Sequence, residues 1–285
     1  MSDKVPHVLS RKPVAIITGA AGGMGKACAR RLANSHGLIL TDFKAGRLDA
    51  ISESLREEDN ADIVASICGD IAEDGVIQDI AGAAADIGDR SKMLIHTAGL
   101  SPALAGWAAI VKTNLVGTAK LIEAIEPLLT QGSVGILLSS TARCFVPAAE
   151  PALTQVLAQP LVPDLLDRIA PHLGDDDERR TASAYAYSKA WTCDLVRQRA
   201  TRWAKKGARI VSLSPGFIRT GMTKKEVVDR PEMNDMLKAT PVGRWGTVSD
   251  IANVVEFVLS DKASYITGTD IVIDGGLSAR ILTQG

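Results

Sequence analysis

Tyr185 and Lys189 stand four positions apart in Tyr185-Ala186-Tyr187-Ser188-Lys189, a spacing that puts both side chains on one face of a helix. A free phenol has a pKa of about 10, and a neighbouring ammonium stabilises the phenolate and draws that value toward neutrality. A tyrosine so placed exchanges a proton with a carbonyl or alcohol oxygen. Ser139 and Ser140 follow the apolar run Gly135-Ile136-Leu137-Leu138, and either hydroxyl can polarise a substrate oxygen. No Gly-x-Ser-x-Gly elbow surrounds them, and the four histidines have no spacing that links them to a nucleophile or a metal. Hydrolase and zinc chemistry are disfavoured, no metal is expected, and proton transfer by tyrosine remains.

A second constellation supplies the partner for that proton transfer. Thr18-Gly19-Ala20-Ala21-Gly22-Gly23-Met24-Gly25 lies where a β-branched run passes into a helical pattern, so backbone N–H groups at the helix start can face a pyrophosphate. Asp42 closes the next apolar run seventeen residues past Gly25. There its carboxylate would bond the adenosine ribose hydroxyls and repel a 2′-phosphate. Neither Ala20 nor Ala21 supplies a cation for such a phosphate, so NAD is preferred over NADP, with Lys44 able to offset part of the repulsion. Asp70, with Ile71 beside it, ends a third run; an adenine contact and an ordinary turn aspartate are both open readings.

The elements that must position these groups are legible as alternation. Val14 to Ile17, Leu38 to Thr41, Ile63 to Ile67, Met93 to His96, Val134 to Leu138, Ile210 to Leu213 and Ile271 to Ile273 read as strands, most separated by helical patterns. Seven strands with helices between them predict an α/β fold, a doubly wound parallel sheet with helices on both faces. Residues 145–181 interrupt the rhythm with five prolines and a charged run at 175–180, and look inserted. Leu153, Val156 and Leu157, then Leu161, Leu165, Leu166 and Ile169, predict two short amphipathic helices covering a substrate pocket or a subunit contact. The acidic run reads as a solvated loop.

Composition bounds the rest. The 285 residues suit one large α/β domain spanning 1–285. Lys plus Arg at 32 against Asp plus Glu at 33, with 4% aromatics, argue against nucleic-acid binding. Four scattered cysteines without a Cys-x-x-Cys pair predict a reducing, cytoplasmic home. Nothing approaches the ~18 apolar residues of a membrane span, nor does an apolar leader open the chain. Trp191 and Trp203 read as packing residues and Trp107 as uninformative. Cys144 is a candidate pocket residue with no activating base beside it.

Together these residues resemble the short-chain dehydrogenase/reductase family, in its single-domain branch with a Rossmann-type sheet. Thr18 to Gly25 is similar to its TGxxxGxG, His96-Thr97-Ala98-Gly99 to its NNAG, and Asn114-Leu115-Val116-Gly117 to the segment with its active-site asparagine. Ser140, Tyr185 and Lys189 match its Ser and YxxxK. Pro215-Gly216-Phe217-Ile218-Arg219-Thr220 matches its PG motif and Asp274-Gly275-Gly276 its DGG. The Gly19, Gly22 and Gly25 spacing also fits the longer epimerase branch, but the C-terminal motifs leave too little chain for that branch's substrate domain.

The resemblance implies hydride transfer between NAD(H) and a secondary alcohol or ketone. Tyr185 would be the acid/base, Lys189 its pKa partner and ribose ligand, Ser140 the residue orienting the substrate oxygen, and Asn114 the support of a water relay. Gly19, Gly23, Met24, Gly25, Asp42, Asp70, Ile71, Ala98, Gly99, Pro215, Gly216, Ile218 and Thr220 would line the cofactor, with Ile218 and Thr220 holding the carboxamide. His96-Thr97 departs from two asparagines, and Ser212 stands where asparagine is frequent, both structural changes. Ser140 and Tyr185 are 45 positions apart, longer than in most of the branch and similar to bacterial 3α-hydroxysteroid dehydrogenase/carbonyl reductases. That implies an apolar, alicyclic or steroid-like substrate and a homodimer or homotetramer whose helix contact the insertion modifies; the family further implies a substrate loop at 221–242, where Met222, Met233 and Met236 suit a variable apolar ligand or ordinary core filling alike. The rival functions are a 3-oxoacyl thioester reductase and a non-catalytic NAD(H)-binding sensor.

Overall fold

Parallel strands need a crossover between each pair, and a right-handed crossover helix returns the chain to the same edge of the sheet. The computed structural model describes residues 12–220, 238 and 240–284. In it β1 (Val14–Thr18), β2 (Gly37–Asp42), β3 (Asp62–Cys68), β4 (Lys92–His96), β5 (Val134–Leu138), β6 (Arg209–Pro215) and β7 (Asp270–Ile273) form one parallel sheet in the order β3-β2-β1-β4-β5-β6-β7. All seven strands read from the sequence are present. The order reverses between β1 and β4, which opens the crevice where ligands of such sheets bind.

The period of two divides each strand between two cores. Val14 and Ile16 join one cluster with Ile80, Ile122 and Val196, whereas Ala15 and Ile17 join another with Cys28, Leu48 and Val255. The first includes residues of α3 (Asp74–Asp86), α5 (Thr118–Ile125) and α8 (Asp177–Ala204). The second includes α1 (Gly23–Leu32), α2 (Ala45–Asp59) and α9 (Val248–Leu259). Strands β1, β2, β4 and β5 are buried at every position, while β3, at the sheet's edge, alternates exposed and half-buried residues.

The insertion forms α6 (Pro151–Leu157) and α7 (Leu165–Ile169). Leu153, Val156, Leu157, Leu165 and Ile169 are buried in the same cluster as Tyr187 and Trp191 of α8. Leu161, read as part of the second helix, instead lies before it and is 39% exposed; Pro163 two residues on disfavours helical backbone there. The charged run corrects a second expectation. It is no loop beyond Asp176, because Asp176 accepts from Arg179 N at 2.8 Å as the cap of α8, with Asp177 and Glu178 in the first turn. Carboxylates at a helix start complement its dipole and orphan N–H groups. Tyr185 therefore sits eight residues inside α8.

The far end of α8 is tied to the segment after α5. The Trp203 indole is fully buried and donates to Glu126 Oε2 at 3.2 Å. Arg199 and Arg202 approach the same buried carboxylate at 3.2 and 2.5 Å, the pairing that a buried charge requires. No helix among the described residues is long and apolar enough to cross a membrane.

Candidate active site

The turn from β1 into α1 leaves no room for side chains. Gly19 has φ of +67°, and a Cβ there would lie 2.9 Å from Ala98 N. A Cβ on Gly25 would strike the Gly19 carbonyl, and one on Gly23 would lie 3.0 Å from Thr220 Cγ2. The first N–H groups of a helix have no partner within it, and Gly22, the cap of α1, has no side chain to offer them. Gly23, Met24 and Gly25 open that helix. A cradle of this kind fits a pyrophosphate, held by backbone donors at close approach.

Asp42, at the end of β2, aims its carboxylate at this turn: Oδ2 accepts from Ala21 N at 3.0 Å and Oδ1 from Lys44 N at 3.3 Å. The Lys44 ammonium lies 5.2 Å from the Phe43 ring centroid. Arg47, which sequence reasoning missed, donates from Nη2 to Ala21 O at 2.7 Å. Its place in the first turn of α2, five residues past Asp42, was the available signal. Asp70 is exposed and accepts from Ala72 N at 2.9 Å, an Asx turn. Ile71 is buried against Gly117, whose added Cβ would lie 2.8 Å from Ile71 Cγ1.

Across the crevice, His96 closes β4 and bridges Thr18 Oγ1 at 2.7 Å and Thr118 Oγ1 at 2.8 Å. Complete burial, with the Lys189 charge adding to it, pushes the imidazole down to about 3, so it is neutral at pH 7. Thr97 Oγ1 donates to Thr18 O at 2.7 Å, and Ala98 N donates to Thr18 Oγ1 at 3.2 Å. His96 and Thr97 thus join β4 to β1 with a bonding set of their own. Asn114 sits in a π-helical turn, Lys112–Gly117, between α4 (Trp107–Val111) and α5, and such turns recur at functional sites. Its Oδ1 accepts from Leu100 N at 2.8 Å, while Nδ2 donates to Leu100 O at 3.0 Å and Ser188 Oγ at 3.2 Å.

Tyr185 and Lys189 share a face of α8. The ammonium lies 5.8 Å from the Tyr185 ring centroid and donates to Leu138 O at 2.8 Å. Burial pushes Lys189 down to about 8, which still leaves mostly the charged form at pH 7. Gly99 completes this cluster: a Cβ on it would lie 3.4 Å from Lys189 Nζ and 3.2 Å from Asn114 Oδ1. The two serines after β5 divide their work. Ser139 is buried and donates to Lys189 O at 2.7 Å. Ser140 is half-buried and caps the 3₁₀ turn Thr141–Phe145, accepting from Ala142 N at 3.1 Å.

Past β6, Gly216 packs tightly on Asp274, with an added Cβ 2.6 Å from Asp274 Cβ, and Pro215 O accepts from Thr141 Oγ1 at 3.2 Å. Ile218 is buried and forms a bridge with Gly246, and Thr220 faces Gly23 as noted. Cys144 is half-buried in the Ser140 turn. Residues 221–237 and 239 of the expected substrate loop, with Met222, Met233 and Met236, lie outside the described residues. Ser188, also missed, donates to Tyr185 O at 2.7 Å and accepts from Asn114; its position one residue before Lys189 was the only signal.

This arrangement offers a glycine cradle at the sheet crevice and a phenol beside a buried ammonium, and comparisons with known proteins identify the family. A family model described as short chain dehydrogenase matches residues 13–150, and one described as enoyl-(acyl carrier protein) reductase matches 174–278. Residues 151–173, between the two, contain α6 and α7. Short-chain dehydrogenase/reductase bsc3 of Alternaria brassicicola is 32% identical, over 96% of this chain and 98% of its own. The 3-alpha-hydroxysteroid dehydrogenase/carbonyl reductase of Comamonas testosteroni is 28% identical, over 93% and 96%. The crystal structure of the 3-alpha-hydroxysteroid dehydrogenase from Pseudomonas sp. B-0831 complexed with NADH superposes with a TM-score of 0.74 at 25% identity, covering 95% of this chain and 99% of that one. Glycine turn, switch-point crevice, tyrosine-lysine helix and near full-length similarity converge, and the chain belongs to the short-chain dehydrogenase/reductase family, whose members are oxidoreductases acting on CH–OH groups.

Proposed function

We propose that the protein transfers hydride between NAD(H) and an apolar secondary alcohol or ketone, of hydroxysteroid or alicyclic type. The observation that carries this is the buried Lys189 ammonium 5.8 Å from the Tyr185 ring, on the strand-end side where the glycine cradle opens. When bound, NAD(H) supplies the hydride chemistry. Tyr185 gives its proton to the carbonyl oxygen in reduction and takes one from the alcohol in oxidation. Lys189 stabilises the phenolate, and Ser140 donates to the substrate oxygen so that it faces the phenol. Asn114 fixes the π turn from which a water relay to Lys189 starts, its amide being engaged by Leu100 and Ser188. Asp42 favours NAD, because its carboxylate at the glycine turn would meet a 2′-phosphate with like charge.

Arg47 supports one second reading. A guanidinium bonded to Ala21 O is a cation beside Asp42 and suits NADPH, the usual reductant of a 3-oxoacyl thioester reductase. The test follows nicotinamide absorbance with NAD and NADP against hydroxysteroids, cyclic alcohols and 3-hydroxyacyl thioesters. NAD reduction by an apolar alcohol supports the first reading, NADP reduction by the thioesters the second. Tight NADH binding without turnover of any member would point to a sensor. We also propose a cytoplasmic homodimer or homotetramer: the four thiols are unpaired, and light scattering after size exclusion distinguishes the assemblies.

A further inference from the structure

Asp270 opens β7 with a carboxylate whose side chain is 6% exposed, and three hydrogen-bonding side chains converge on it. Ser212 donates to Oδ1 at 2.7 Å and Ser214 to Oδ2 at 2.8 Å, both from β6 beside it. Arg143 reaches over from the turn after β5, with Nη2 2.9 Å from Oδ2 and Nε 3.3 Å from Ser214 Oγ. The pair is separated by 127 positions in the chain. A buried carboxylate is tolerated only when its lone pairs are met, and here a guanidinium and two hydroxyls meet them.

Both ends of this network finish on the groups proposed for the reaction. Arg143 belongs to the 3₁₀ turn that Ser140 caps, and its N–H donates to Ser140 O at 3.3 Å. That turn is short and has poorer internal hydrogen bonds than an α-helix. Thr141 is its one buried residue, and Phe145 is 48% exposed, so apolar burial does little to hold it. Its anchors are polar: Thr141 to Pro215 O, and Arg143 to Asp270 and Ser214. On the other side, Ser212 Oγ lies 3.5 Å from Cys193 Sγ, Cys193 donates to Ser139 Oγ at 3.3 Å, and Ser139 donates to Lys189 O at 2.7 Å. One carboxylate therefore braces the turn that presents Ser140 and, through Ser139, the helical turn that presents Lys189.

We propose that Arg143 and Asp270 are a positioning pair that holds Ser140 in register with Tyr185, acting through the turn 141–145 rather than on a reactant. The inference rests on the reading of Ser140, Tyr185 and Lys189 given above. A guanidinium is required because two of its nitrogens act at once, one on the carboxylate and one on Ser214.

The experiment compares Arg143→Met, Arg143→Lys, Ser140→Ala and the double variant Arg143→Met/Asp270→Asn with the wild type. The double variant leaves no unpaired charge at the site and keeps an amide for Ser212 and Ser214, so it folds where Arg143→Met alone fails. Hydrogen exchange across 139–146 is read without substrate, kcat and KM are read with the panel alcohol that the wild type oxidises fastest, and NADH affinity is read by titration. Expected are exchange at least tenfold faster at 142–145, kcat lower by 10- to 100-fold, and KM and NADH Kd within twofold. Arg143→Lys should recover at least threefold of the lost kcat. Wild-type protection and kcat in the double variant, with Ser140→Ala impaired, overturn the pair alone. Wild-type kcat in Ser140→Ala overturns the reading of Ser140 and the positioning role with it.

Discussion

Lys189 Nζ lies 5.8 Å from the centroid of the Tyr185 ring while donating to Leu138 O at 2.8 Å, so the cation is fixed to the end of β5 before any substrate arrives. Burial pushes the ammonium down to about 8, and most of it stays protonated at pH 7. Screening by water is weak at such a site, which makes the interaction with a phenolate strong.

The first consequence concerns turnover. Tyr185→Phe removes the transferable proton and keeps the ring beside Lys189. Turnover should fall by roughly 10²- to 10⁴-fold, the usual contribution of a positioned acid/base. NADH affinity, read by fluorescence titration, should stay within a few fold. A variant with wild-type kcat would sink the assignment.

The proposed preference for NAD rests on Asp42, whose Oδ2 accepts from Ala21 N. Asp42→Ala should weaken NADH and strengthen NADPH, narrowing the ratio of their dissociation constants by about tenfold or more, equivalent to about 1.4 kcal/mol. Calorimetric titration of both nucleotides checks this without relying on any substrate. Arg47→Ala in the same background should weaken NADPH again if the guanidinium lies near the 2′-phosphate.

Acid should find His96 before most groups. Its pKa is about 3 in the folded chain and about 6.5 when unfolded, so the unfolded chain binds more protons between those values. The stabilisation is fully present above pH 6.5 and is lost as pH falls toward 3, at up to about 1.4 kcal/mol per pH unit and about 5 kcal/mol in all. Urea unfolding at pH 7, 6, 5 and 4 should show the wild type losing its advantage over His96→Asn step by step. A constant difference across that range would contradict the neutral buried imidazole.

Packing on the central strands can be tested at Gly135, where an added Cβ would come within 2.6 Å of Trp203 Cη2. The indole is buried and held by Glu126, so it has little freedom to retreat. Gly135→Ala should cost about 1–3 kcal/mol, the range for overpacking, measured as a lower denaturant midpoint with an unchanged slope. Trp203→Phe in the same chain should recover part of the loss.

Features set by neighbours along the chain were readable without coordinates. The seven strands follow from apolar runs a few residues long, the tyrosine-lysine face from four-residue spacing, and the tight turn between β1 and α1 from the run of glycines that joins them. The charged run at 175–180 misled because its carboxylates read as solvent-loving, when the same charges favour a helix start; only the neighbouring backbone of α8 resolves that choice.

Contacts between distant segments depended on the crossovers and on which way each side chain leaves its strand. Thr18, His96 and Thr118 meet because β1 and β4 are paired at the sheet's reversal. Arg47 reaches Ala21, and Arg143 reaches Asp270, across 26 and 127 positions. No local period encodes such separations, because a hydrogen bond responds to distance in space while a sequence pattern reports only distance along the chain. The types of chemistry available were therefore local properties of this protein, and the partners that orient Ser140, Asp42 and His96 were decided by the tertiary fold.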